Sequence, residues 1–152
     1  MIPEALEAEI RGRVESVRAR IEAAAARAGR SPEEVTLVGI SKRQAPERVA
    51  AAVLAGVAHL GENYVQEARG KRAAVEDLLR GRGAPAPCWH MVGGLQRNKA
   101  RDSVQIFRVI ETVDRAPLAV ELDRRAGAAS AVIHVLLQVN LSGEDQKGGT
   151  EP

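Results

Sequence analysis

The 152-residue chain is poor in cysteine and in aromatic rings: Cys88 is its one thiol, and Tyr64, Trp89 and Phe107 are its only aromatic side chains. A single cysteine leaves no disulfide frame and no multi-cysteine metal site, and it fits a reducing, cytoplasmic setting. Three rings are too few for a base-stacking platform. Charge of one sign is also lacking. Lys and Arg number 22 against 20 Asp and Glu, a formal charge of +2. No strong basic field therefore points to nucleic acid. Long apolar runs are missing too. The run Ala131–Leu137 is broken by His134 and is too short to cross a bilayer. Glu4, Glu7 and Glu9 near the start of the chain are unlike a signal peptide.

What is present is alternation. Leu6, Ile10, Val14, Val17, Ile21, Ala25 and Ala28 recur at three- and four-residue steps and predict one helix over 3–28. Pro3 suits its first turn and Gly29 its stop. Ser31-Pro32-Glu33-Glu34 has capping-box spacing and predicts a single turn. Strands are expected at 35–42, 57–60, 88–92, 106–112 and 131–139, the first of them short, mostly apolar and β-branched. Helices are expected between them: from Pro46 to Gly56, over 64–79, a short one from Leu95, and one capped by Asp114 and running to about Ala126.

Strand–helix alternation with four crossovers implies a parallel α/β sheet. Two architectures compete, an open doubly wound sheet and part of a (β/α)8 barrel of the TIM type. Each expected strand ends in chemistry: Lys42, Asn63, His90 with Gly93, Asp114 and Asn140. A barrel brings all such ends to one mouth, whereas a doubly wound sheet concentrates them at its switch point. The first strand is not followed by Gly-x-Gly-x-x-Gly, which weakens a dinucleotide fold. The expectation is therefore one domain over 1–152, an incomplete barrel of five parallel strands with outer helices, preceded by an extra N-terminal helix over 1–30.

The first strand closes on Lys42. A lysine at the lip of a core is partly desolvated and its pKa falls toward neutrality. A neutral amine of that kind suits Schiff-base chemistry with an aldehyde cofactor; the plain alternative is a surface lysine ending a strand. In Gly61-Glu62-Asn63 the glycine permits a tight turn. Asn63 can then bond a ring ligand, and Glu62 can hold a cation. Trp89-His90 on a buried strand needs partners for both ring N–H groups. His59, His90 and His134 fall on separate strands with no zinc-like spacing, so no metal is expected. Counting by two from Asn140 puts Gln138, Leu136 and His134 on its face. The loop after Asn140 can carry Lys147 to the mouth, where a second ammonium would lower the pKa of Lys42. Arg97, Lys99 and Arg101 form a basic cluster, read as a solvated face or, secondarily, an RNA contact.

Gly39-Ile40-Ser41-Lys42, Gly61-Glu62-Asn63-Tyr64-Val65-Gln66-Glu67, the stretch from Trp89 to Lys99 and the stretch from Gln138 to Lys147 together resemble the pyridoxal-phosphate homeostasis protein family, whose fold is similar to the N-terminal barrel of alanine racemase. The four motifs come in the family's order and cover nearly everything from Val35 onward, the N-terminal two thirds of a member. The resemblance implies pyridoxal 5′-phosphate as cofactor, with Lys42 as its Schiff-base lysine. It also implies that Asn63, His90 and Asn140 line the mouth and that Lys147 is a loop lysine near the cofactor. Members are regarded as carriers or regulators of the cofactor, passing it to pyridoxal-phosphate-dependent apoenzymes or to amino acids without an assigned turnover.

Two departures matter. Gly94 stands where the family usually has histidine, which removes a polar group from the mouth. Members also continue through three more strands, whose Ser- and Gly-containing loops hold the cofactor phosphate. A racemase on the same scaffold is the rival reading. It needs a second base, and the one tyrosine, Tyr64, directly follows Asn63, which favours binding over turnover.

Overall fold

The structure is a computed structural model that describes residues 1–144 and 148–151. Its elements run α1 (Glu4–Arg27), β1 (Val38–Ile40), α2 (Pro46–Leu54), β2 (His59–Glu62), α3 (Val65–Arg80), β3 (Cys88–Met91), α4 (Ala100–Ile106), β4 (Val109–Val113), α5 (Ala116–Ala128) and β5 (His134–Leu137). The five strands form one parallel sheet in the order β1-β2-β3-β4-β5. Sequential order, each crossover stepping the same way, is the order of a (β/α) barrel. A doubly wound sheet reverses direction at its switch point. The strand order thus decides between the two architectures, in favour of the barrel type. Among the described residues no helix is long and apolar enough to cross a membrane.

The chain divides into two compact units, Met1–Leu60 with Gly70–Pro87, and Gly61–Arg69 with Cys88–Pro152. In the first, α1 ends as its sequence predicts. Gly29 takes φ 64°, Gly29 N–H donates to the Ala26 carbonyl and Arg30 N–H to that of Ala25. These are the two bonds of a Schellman cap, and the left-handed position favours glycine. The expected apolar stripe is only partly covered: Ile10, Val14 and Ala25 are buried, while Val17 stays 38% exposed. Polar ties fix α1 instead at three points. Arg18 donates to the Gly56 carbonyl (2.5 Å), Arg82 pairs with Glu7 (2.5 Å) and Arg48 with Glu9 (3.3 Å). Ser31 Oγ accepts from Glu33 N–H (3.4 Å) and opens a single 3-10 turn.

In the second unit β3, β4 and β5 pair parallel, with His90 opposite Val109 and Ile110 opposite Val135, and the β4–β5 register shifts between Ile110 and Val113. Trp89, Met91, Leu95, Phe107, Ile110, Val113, Leu118 and Leu122 are each at most 3% exposed and make its core. Burying side chains of this size contributes about 1.5–3 kcal/mol each. Several boundaries differ from the sequence expectation: β1 is Val38–Ile40 rather than 35–42, and β5 is His134–Leu137 rather than 131–139. The fourth strand begins at Val109, not Ile106: Ile106 closes α4 and Phe107 N–H bonds the Ser103 carbonyl. Asp114 does not cap α5. Arg115 holds that position with extended backbone and no side-chain cap bond, and Asp114 instead accepts from the Arg115 guanidinium (2.6 Å). The strand over 57–60 is shifted to His59–Glu62, so Gly61 lies in β2 rather than in a turn.

Candidate functional site

The sequence-predicted residues fall at or near the carboxyl ends of the strands, where ligands bind in parallel α/β sheets. Lys42 belongs to the first unit, and Asn63, His90 and Asn140 to the second. Lys147 lies outside the described residues.

Lys42 follows β1 by two residues, in a turn from Ser41 to Gln44 closed by Gln44 N–H on the Ser41 carbonyl (3.1 Å). Its side chain is exposed and, among the described residues, held by no hydrogen bond or ion pair. The expected desolvation at the lip of a core is therefore absent within this chain, because Ser41 takes the buried place (4% exposed) and the turn carries Lys42 out. Arg43 sits at φ 58°, a left-handed conformation that costs a non-glycine residue about 1 kcal/mol or more. The anchor of this turn is Lys71 on α3. It is 7% exposed, and its Nζ donates to the Ser41 carbonyl at 2.5 Å.

In the second unit the loops after β2, β3 and β4 are tied together. Val92 N–H donates to the Glu62 carbonyl (2.9 Å), Thr112 Oγ1 to the Gly93 carbonyl (2.7 Å) and Arg115 Nη2 to the Leu95 carbonyl (3.1 Å). Glu62 itself is fully buried on β2. Asn63 follows it, half-buried, and packs its main chain against Gly93. An open cavity of about 190 Å³ is lined by Asn63, Tyr64, Met91, Gly94, Gln96 and Lys99. A Cβ on Gly94 would meet nothing within 4 Å, so the position has room for the side chain it lacks. A larger cavity of about 410 Å³, lined by Arg18, Thr36, Gly56 and His59, lies toward the amino ends of β1 and β2; that is the wrong end of the strands for chemistry in this architecture.

His90 is 6% exposed, and its Nδ1 lies 2.7 Å from Glu111 Oε1. The carboxylate accepts from an Nδ1–H, which fixes the ring and leaves Nε2 as the acceptor of the neutral form. Trp89, on the opposite face of β3, has no hydrogen-bond partner for its buried Nε1–H among the described residues, so only one of the two ring partners anticipated from the Trp-His pair is shown. Burial pushes the Cys88 thiol pKa up, with Arg108 opposing.

Asn140 spends its side chain on its own loop. Oδ1 accepts from Ser142 N–H (3.2 Å), Ser142 Oγ (3.0 Å) and Gly143 N–H (3.2 Å), and Nδ2 donates to the Glu144 carbonyl (3.0 Å). Its main-chain N–H donates to the Thr150 carbonyl, and Thr150 N–H to that of Gln138. The loop leaves and returns beside β5, with Asn140 as its organiser.

Sequence reasoning missed Lys71 and Glu111. Lys71 fills the gap in the inward series Ala68, Val75, Leu79 of α3, three residues after the first and four before the second. Glu111 sits inside the β-branched run Val109-Ile110-Glu111-Thr112-Val113, where an acid needs a partner.

No family model matches the chain. It is 40% identical over 135 residues to a protein of Escherichia coli K12 named pyridoxal phosphate homeostasis protein, covering 89% of this chain and 56% of that one. The structure is similar to a crystal structure of an unknown protein from Bifidobacterium adolescentis, with a TM-score of 0.89 and 36% identity, over 100% of this chain and 63% of that one. It is also similar to PipY of Synechococcus elongatus with PLP bound, with a TM-score of 0.76 and 36% identity, over 92% of this chain and 57% of that one. The chain thus spans under two thirds of the length of each.

Proposed function

This chain belongs to the pyridoxal phosphate homeostasis protein family, and from that premise we propose that it is a cytoplasmic binder of pyridoxal 5′-phosphate, joined covalently through Lys42. The observation that carries the reading is the Lys42 amine. It is exposed on an anchored turn at the carboxyl end of β1 and engaged by no described residue. Such an amine fits the aldehyde of the cofactor. Lys42 Nζ would hold the group through its aldehyde carbon, with loss of one water. When bound, the cofactor supplies an electrophilic ring and a reversible carbonyl.

The other candidates take supporting parts. Asn63, at the 190 Å³ cavity, offers an amide to polar ring substituents. His90 lies at the carboxyl end of β3, its ring oriented by Glu111. Asn140 shapes the loop that carries Lys147. The protein holds the cofactor and releases it to pyridoxal-phosphate-dependent apoenzymes or to amino acids. Independent racemisation is not part of the reading, because the one tyrosine, Tyr64, is 61% exposed rather than positioned as a second base.

The test is reduction with borohydride after incubation with pyridoxal 5′-phosphate, followed by peptide mass mapping. The expected adduct is on Lys42. Modification spread over surface lysines, with Lys42 unmodified, removes the proposal.

A further inference from the structure

Lys71 lies outside the four stretches that carry the resemblance, and it is the most deeply buried lysine described, at 7% exposed. Buried lysines are rare unless the ammonium is engaged. This one reaches from α3 to the main chain of the residue preceding Lys42, with Nζ 2.5 Å from the Ser41 carbonyl oxygen. The same oxygen accepts the turn bond from Gln44 N–H. The turn it closes is strained at Arg43, whose φ of 58° suits glycine rather than a side chain. Strain of this kind persists only where the surroundings hold it. The charge-assisted bond from a buried ammonium is one support that holds it here.

We infer that Lys71 is a positioning residue for the Lys42 amine: it pins the Ser41 carbonyl and so fixes the strained turn that presents Lys42. The inference rests on Lys42 being the amine that reacts with the aldehyde. A positioned amine reacts faster than one on a mobile turn, because orientation is settled before the bond forms. Lys71 touches neither the aldehyde nor the reacting nitrogen. Its effect reaches Lys42 through the main chain of residues 41–44.

Two measurements on the full chain test it, one without any cofactor. In the first, amide hydrogen exchange is followed across residues 41–45 in the parent and in Lys71→Met. Exchange at Gln44 is expected to rise about tenfold in the variant, with exchange in β3 and β4 unchanged. In the second, borohydride trapping gives the rate of pyridoxal 5′-phosphate addition at each lysine. Lys71→Met is expected to slow addition at Lys42 about tenfold and leave the other lysines at parent rates. Lys71→Arg, which keeps a cationic donor, restores most of the rate. A merely structural role would change all lysines together. Should Lys71→Met not fold, Lys71→Gln takes its place, since its shorter arm cannot reach the Ser41 carbonyl. Parent-like exchange at Gln44 and parent-like addition at Lys42 in the folded variant overturn the inference while leaving the Schiff-base reading intact. Absence of any Lys42 adduct in the parent removes the Schiff-base reading, and the positioning role falls with it.

Discussion

Gly93 and Asn63 meet main chain to main chain: a Cβ built on Gly93 would lie 2.8 Å from the Asn63 Cα, 2.9 Å from its carbonyl carbon and closer still to its oxygen. The obstacle is backbone, which cannot rotate aside. Glycine at 93 is therefore the condition for the loops after β2 and β3 to sit against each other. Thr112 Oγ1, bonded to the Gly93 carbonyl, extends the tie to β4.

Gly93→Ala should accordingly destabilise the chain by roughly 1–3 kcal/mol, the range for forced overpacking. It should also disturb Asn63 without changing any group that meets the cofactor. Chemical denaturation reads the first effect and the chemical shift of the Asn63 side-chain amide the second. Stability and shift both at parent values would mean that the loops separate at no cost. Gly94→Ala is the control, because its Cβ would have open space.

Glu121 gathers guanidinium groups on α5. Arg124 donates twice (2.7 and 3.1 Å), Arg125 once (2.7 Å), and Arg97 Nη2 stands at 4.0 Å. The hydrogen bonds from Arg124, then those from Arg125, hold its carboxyl at about 2, below the usual 4.5. A lowered folded pKa makes the sign definite. Its contribution is fully present above about pH 4.5. It is lost as pH falls toward about 2, where the unfolded chain has taken up a proton that the folded chain refuses. The Arg82 hydrogen bond lowers Glu7 in the same direction. Glu121→Gln should thus flatten the fall in urea midpoint between about pH 5 and about pH 3 relative to the parent. Equal slopes in the two proteins would show that the arginine cluster is not closed in solution.

How much of this was legible beforehand follows from where the signal lives. Periodicity gave the inner face of α3: Val65, Ala68, Val75 and Leu79 are all at most 4% exposed. The sequence order of polar strand ends gave the barrel-type sheet. Boundaries failed where two elements share one apolar run. Ile106 and Phe107 read continuously with Val109 and Ile110, but their burial comes from helical packing. Lys71 failed for the opposite reason. A charged residue is assigned to the surface by default, and the Ser41 carbonyl that receives its ammonium lies thirty positions away in the sequence. Asn140 was expected to face a ligand, and its loop-capping role depends on Ser142 and Gly143, whose N–H groups lie within reach of its Oδ1.

β5 closes the strand order, and neither of its faces is covered. Val135, Leu136 and Leu137 are 46, 54 and 70% exposed, alternating sides along the strand, with Val132 at 76% beside them. At the other edge Ile40 is 50% exposed. An open apolar edge carries both unpaired main-chain groups and a hydrophobic driving force, the combination that recruits further strands. The 152-residue chain should therefore self-associate in solution through β5. A lysine placed in such a strand is the usual protection, since pairing would bury its charge. Leu137→Lys should weaken association by at least about tenfold, some 1.4 kcal/mol, and leave the circular dichroism unchanged because the site is already exposed. Ile40→Lys at the opposite edge should have the smaller effect, β1 being partly covered on one face where β5 is covered on none. Sedimentation velocity over a concentration series measures both. A parent that stays monomeric throughout, or a Leu137→Lys variant that associates as the parent does, would show that the exposed strand is not what joins the copies.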